Sequence, residues 1–222
     1  MVVKFIKTIL FPFFVKNHYL YMKFAITTLI LILIVMFVYS IFKNEFLWSF
    51  FSIIMIFITF IPTIFRYYLK IKLPYIFDVF ICLALIFHTG NGLLDICKII
   101  PIYNKFTHFF SASVVAFIFL ILLFVFNEYY RGIAVNNFKI LFDVVVITMA
   151  FGVVWEFMEW IGDYSFNFNA QPSLNDTMGD LFADTLGGLF IAFVGYFLIK
   201  RNILKKFSKN FKKHFEQLAN KD

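Results

Sequence analysis

Apolar residues in this chain fall into blocks of about membrane-spanning length, each closed by a short polar or basic stretch. Six spans follow from that pattern. They are about Phe24–Phe42, Phe46–Phe65, a short Pro74–His88, Phe106–Phe126, Ile140–Ile161 and Asp180–Ile199. The third is expected to close at the turn Thr89-Gly90-Asn91-Gly92. Residues 1–22, broken by Pro12, alternate lysines with Phe, Ile and Leu and read as an interfacial amphipathic segment. No small-residue cleavage site precedes Lys23, so the first span is expected to stay as an anchor. The predicted fold is an all-α polytopic transmembrane bundle, with its membrane domain over 23–199 and a basic cytoplasmic tail over 200–222.

Composition strengthens this picture. Of 222 residues, 62% are hydrophobic, well above the roughly half expected of a soluble domain, and the mean hydropathy of +0.87 points the same way. The 36 phenylalanines read as lipid-facing filler. Net charge is +7, gathered at the ends: Lys4, Lys7, Lys16 and Lys23 before the first span, and Lys200, Arg201, Lys205, Lys206, Lys209, Lys212 and Lys213 after the last. A basic tail beside a membrane faces anionic lipid, so lipids and not nucleic acid are the expected partners. Arg66, Lys70 and Lys72 make one connection basic, and Arg131 and Lys139 another, while the alternate connections are poorer. That asymmetry puts both termini in the cytoplasm of a multi-pass cell-membrane protein. Cys82 and Cys97 suggest no disulfide framework.

Four acids stand where a span should have none: Glu156 and Glu159 in VVWEFMEWIG, and Asp180 and Asp184 in NDTMGDLFADTLGGLF. An ionised carboxylate at the centre of a spanning helix costs roughly 2.5–3.5 kcal/mol on insertion scales, so such groups face a protein interior or a wet cavity. Glu156 and Glu159, three apart, share a helix face. Asp176, Asp180 and Asp184, four apart each, form a second stripe covering about 12 Å of helix rise, with Gly187 and Gly188 continuing near it. Asn104 and His108 share a face, and His88 ends the third span. In the expected topology all these groups lie toward the outer side, so four spans offer acids or imidazoles at one depth.

Plainer roles compete for some of them. Ser173 to Asp176 could be a capping box. Trp155 and Trp160 fit an interface belt. Asp78 and Asp143 could pair with Arg66 and Lys139, and Asp95 and Asp163 could be loop acids. The four intramembrane acids together are harder to dismiss: gathered in one pocket they need a cation or shared protons. Oxygen ligands with His108, His88 and Asp176 suit a divalent ion such as Zn²⁺, Mn²⁺ or Mg²⁺.

The segments His88-Thr89-Gly90, Tyr103-Asn104-Lys105-Phe106-Thr107-His108, Glu156-Phe157-Met158-Glu159-Trp160 and Asp176-Thr177-Met178-Gly179-Asp180, with Asp184 and Gly187-Gly188, resemble the YjdF-like family of polytopic membrane proteins. More distantly they resemble VanZ-like membrane proteins. The likeness covers about residues 75–195, and Asn104 stands where the family pattern has an Asp. It implies that the constellation is a family feature and leaves the activity open.

Three functions remain in play. The first is a metal-dependent enzyme acting on a lipid or lipid-linked envelope substrate. There His108, Glu156, Glu159, Asp180 and Asp184 ligate the ion, with His88 and Asp176 as further candidates. The catalytic set is Glu156, Glu159, Asp180 and Asp184, one of which is left as general base. The second is an ion- or proton-coupled carrier, the third a non-catalytic protein whose acids lock helices together.

Overall fold

The computed structural model describes residues 19–68, 75–129, 135–167, 170–206 and 208–209. Among these there is no strand; residues 203–206 are helical, and eight further helices have both ends described. They are α1 (Tyr19–Phe42), α2 (Phe46–Thr59), α3 (Ile61–Tyr68), α4 (Ile76–Leu94), α5 (Ile96–Ile99), α6 (Ile102–Tyr129), α7 (Asn137–Phe166) and α8 (Leu174–Lys200). Six stretches are long and apolar enough to cross a membrane: Leu20–Phe42, Trp48–Tyr68, Ile76–Leu94, Ile102–Glu128, Asn137–Phe166 and Leu174–Lys200. The expected all-α, six-span architecture is therefore present. Most of the amphipathic segment at 1–22 and most of the basic tail lie outside the described residues; 19–22 already form the first turn of α1.

Several boundaries differ from the sequence reading. The second span is two helices, divided at Phe60 ahead of Pro62, whose ring cannot follow an uninterrupted helical turn. The third span does not close at Thr89–Gly92 but continues as helix to Leu94. Thr89 turns its hydroxyl back onto Leu85 O at 2.8 Å, and Gly92 lies so close to the Trp48 ring that a Cβ would overlap it. That glycine serves packing instead of a turn. Asp95, in the left-handed region at φ 52°, ends the helix. Ser173 does open the last helix, its Oγ accepting from Asp176 N at 3.2 Å, so α8 begins six residues before Asp180.

The helices sort into two compact units, Met1–Ile100 and Pro101–Asp222. In the N-terminal unit α1, α2 and α4 pack on one another. Ser40 and Ser49 share a buried hydroxyl contact of 2.8 Å between α1 and α2. Arg66 of α3 makes a two-pronged ion pair with the buried Asp78 of α4 and lies over the Tyr75 ring at 4.3 Å. The suggested partners of Asp78 and Asp143 are thus both real, since Lys139 Nζ bonds Asp143 at 2.7 and 2.8 Å.

The C-terminal unit is a three-helix bundle in which α8 packs on both α6 and α7. The buried face of α8 is Asp180, Ala183, Asp184, Gly187, Gly188, Ile191, Gly195 and Leu198, a stripe at the three-and-four spacing of one helix side. Gly187 faces Phe109 O and Ala112 of α6, Gly188 faces Thr148 of α7, and Gly195 sits between Leu120 and Leu141. α6 and α8 therefore run parallel, with α7 antiparallel between them in the chain. Small residues let the backbones approach, the usual means of helix association where lipid is as apolar as the side chains.

Valine at Gly187 would place its Cβ 2.7 Å from Phe109 O, and a backbone atom cannot swing aside. We expect Gly187→Val to lose about 1–3 kcal/mol by overpacking. Thermal unfolding in detergent, compared with Leu186→Val on the exposed face of the same helix, measures it.

Candidate functional site

The carboxylates on the buried stripe of α8 look directly at α6, one turn for one turn. Asn104 Nδ2 donates to Asp180 Oδ2 at 2.9 Å. Four residues on, His108 Nδ1 lies 3.3 Å from both Asp184 oxygens. Lys105, between them, donates through Nζ to Asp176 Oδ1 at 2.6 Å and to Asp176 O at 2.9 Å, and lies 2.9 Å from Asp180 Oδ1. The parallel register of α6 and α8 brings all of these together at once.

α7 closes the third side. Glu156 is buried, and Gln171, from the connection to α8, donates its amide to Glu156 Oε2 at 2.6 Å and to Glu156 O at 2.9 Å. Gly152, one turn along α7, faces Asp184 so closely that a Cβ would overlap Oδ2. Asp184 can reach His108 because nothing projects from α7 at that point. Glu159 is half-buried, three residues from Glu156 on α7, and accepts from Trp155 Nε1 at 2.8 Å.

Three buried atoms in this pocket have no hydrogen bond: His108 Nε2, Glu156 Oε1 and Asp180 Oδ1. Lys105 approaches the last of these as an ion-pair partner, off the line of a hydrogen bond. One donor atom each from His108, Glu156 and Asp180 lies within 4.8 Å of the others, close enough to hold a metal ion. An imidazole whose Nδ1 rests on a carboxylate while Nε2 makes no hydrogen bond, here 3.7 Å from Asp180 Oδ1, is the arrangement of a metal-ligating histidine and its outer partner.

The residues singled out from sequence divide accordingly. His108, Glu156 and Asp180 converge. Asp184 is joined to them through His108, and Asp176 through Lys105. Glu159 belongs to the same surroundings but spends one oxygen on Trp155. His88 stands half-buried on α4, in the other unit. Two residues read as ordinary have specific work: Trp155 as a donor to Glu159, and Asp163, which accepts from Ala170 N at 2.6 Å and Gln171 N at 2.8 Å. Gln171 itself was missed. Its only signal in the sequence is a two-donor amide in the connection following an intramembrane acid.

Six stretches long and apolar enough to cross a membrane, with buried polar groups inside each unit, define a multi-pass integral membrane protein. Residues 25–201 match the family described as "Predicted membrane protein (DUF2238)", and the chain belongs to that family. None of the curated proteins and none of the solved structures matches it.

Lys105 is the cation nearest the buried Asp180, which is 1% exposed, unlike the open Lys98–Asp95 pair, 72% and 59% exposed. Removing one partner of a buried pair typically costs about 3–5 kcal/mol, an exposed pair at most about 1. Lys105→Met should therefore lower the unfolding temperature in detergent far more than Lys98→Met. A Lys105→Met, Asp180→Asn double variant should regain more than half of the loss.

Proposed function

We propose that the C-terminal unit holds a divalent metal ion on His108, Glu156 and Asp180, and that the protein is a membrane-embedded hydrolase acting on a lipid or lipid-linked envelope substrate. One observation carries the reading: His108, Glu156 and Asp180, from three helices, each bring a ligand atom within 4.8 Å of the others, and each has a buried polar atom without a hydrogen bond. Buried polar atoms without a hydrogen bond are costly; Lys105 and His108 offer Asp180 Oδ1 charge contacts, and an ion would serve all three residues.

Charge supports it too. Glu156, Glu159, Asp176, Asp180 and Asp184 are five carboxylates, while Lys105 and His108 are the cationic side chains among them. A pocket this rich in acid needs a cation or shared protons. One imidazole with two carboxylates suits Zn²⁺ or Mn²⁺ better than Mg²⁺, which prefers oxygen alone. Three protein donors are the number that catalytic zinc sites supply, the remaining position being left for water or substrate.

Such an ion supplies Lewis acidity and activation of water. The chain's own groups do the rest. Asp184 fixes the His108 ring, Asn104 and Lys105 fix Asp180, and Gln171 fixes Glu156. Glu159 is the carboxylate left to accept a proton. In a helix of 27 residues, Asp180 and Asp184 lie about 9 and 15 Å from the first residue. With that helix centred on a hydrocarbon core of about 30 Å, they would lie roughly 5 and 10 Å inside the border with the headgroups, within reach of a linkage drawn down from the headgroup layer. The basic connections favour termini in the cytoplasm and a site near the outer face. A carrier is less well supported: beyond Asp184, the buried polar residues described in the unit are Thr148, whose hydroxyl bonds back to Val144 O, and Ser208 past the end of α8, among Gly, Ala, Ile, Leu, Phe and Val.

Full-length protein purified in detergent should carry close to one equivalent of Zn²⁺ or Mn²⁺ by elemental analysis. His108→Ala, Glu156→Ala and Asp180→Ala should each abolish it. Asp184→Asn, which disturbs only the partner of the ligand, should weaken binding about 10–100-fold. A wild-type protein without stoichiometric metal after exposure to both ions would end this reading.

A further inference from the structure

The chain between α7 and α8 does something that a surface connection need not do. α7 ends at Phe166, with Asn167 in the left-handed region at φ 57°. Yet Gln171 bonds Glu156, ten residues back along the helix. Ala170 and Gln171 therefore lie back along the side of α7. Asp163 and Glu156 are two turns apart, about 10 Å of rise. Asp163 receives the backbone N–H of both Ala170 and Gln171; Gln171 spans the rest with its side chain. Irregular backbone at such depth is tolerated only where its polar groups are satisfied by protein or water, and the Asp163 carboxylate satisfies two of them.

We propose that Asp163 and Gln171 form a strap that positions Glu156 for the cation: Asp163 sets the backbone of Gln171, and Gln171 sets the carboxylate. This rests on the metal reading above. Because the Gln171 amide donates both to Oε2 and to the Glu156 backbone carbonyl, it ties the Glu156 side chain to its own helix, and Oε1 is left buried and without a hydrogen bond. The strap does for Glu156 what Asp184 does for His108 and Asn104 does for Asp180. Each of the three ligands then has one atom turned to the pocket and another held by a neighbour, which is how outer partners tune ligands at metal sites. Gln171 and Asp163 are positioning residues; neither needs to touch the ion.

The test is equilibrium dialysis of the full-length protein in detergent against Zn²⁺ and against Mn²⁺, alongside thermal unfolding of the metal-free protein. Gln171→Met keeps the length of the side chain and removes the donors. It should weaken binding of the preferred ion about 10–100-fold while the metal-free unfolding temperature stays put. Asp163→Ala should act in the same direction. The two together should be no worse than Gln171→Met alone within a factor of about two, because contacts in one chain are not additive. Wild-type affinity in Gln171→Met overturns the strap and leaves the metal site standing. So does a double variant that falls by the product of the single losses. An affinity loss that tracks an equal fall in metal-free stability overturns it as well, by making Gln171 a structural residue. A wild type that binds neither ion takes down both readings together.

Discussion

Buried carboxylates in a bilayer must be answered by donors from the protein, and the C-terminal unit is arranged around that requirement. Asp180 and Asp184 lie on the same α8 stripe as Gly187, Gly188 and Gly195. The glycines bring α6 and α7 close, and the closeness lets Asn104, Lys105 and His108 reach the acids. Without the small residues the acids would face a gap; without the acids the seam would hold by van der Waals contact alone. Packing and polar pairing here are two aspects of one contact.

The same contact explains why the pocket has direction. Each ligand-type side chain has one atom committed to a neighbour: His108 Nδ1 to Asp184, Asp180 Oδ2 to Asn104, and Glu156 Oε2 to Gln171. The other atoms, Nε2, Oδ1 and Oε1, make no hydrogen bond. Purely structural polar clusters tend to close on themselves. This one leaves three atoms without a hydrogen bond, with Lys105 2.9 Å and His108 Nε2 3.7 Å from Asp180 Oδ1.

Much of this was legible in the chain. Blocks of apolar residues located all six spans, and helical spacing put Asp180 with Asp184 and Asn104 with His108 on shared faces. Acids in apolar surroundings marked the site. What spacing could not supply was the division of labour among them. That Asp184 serves His108 while Asp176 serves Lys105 depends on the offset between α6 and α8, a tertiary property. Thr89–Gly92 misled because glycine in a short apolar span signals a turn, whereas here it makes room for the Trp48 ring. Gln171 and Asp163 were hidden for another reason. Residues of a connection that lie back along the preceding helix leave no periodicity to read.

The offset between α6 and α8 has a consequence of its own. Asn104 meets Asp180 and His108 meets Asp184, each across 76 positions of chain, and Gly187 and Gly195 keep nearly that interval with Ala112 and Leu120. The two helices behave as matched scales, graduated alike and read against each other. Adding or deleting a single residue inside either one would turn everything beyond it by about 100°, undoing several pairs in one stroke. A changed side chain along these helices touches one pair at a time, whereas a changed length inside either helix touches them all, so the unit's memory of its own alignment is written in spacing as well as in letters.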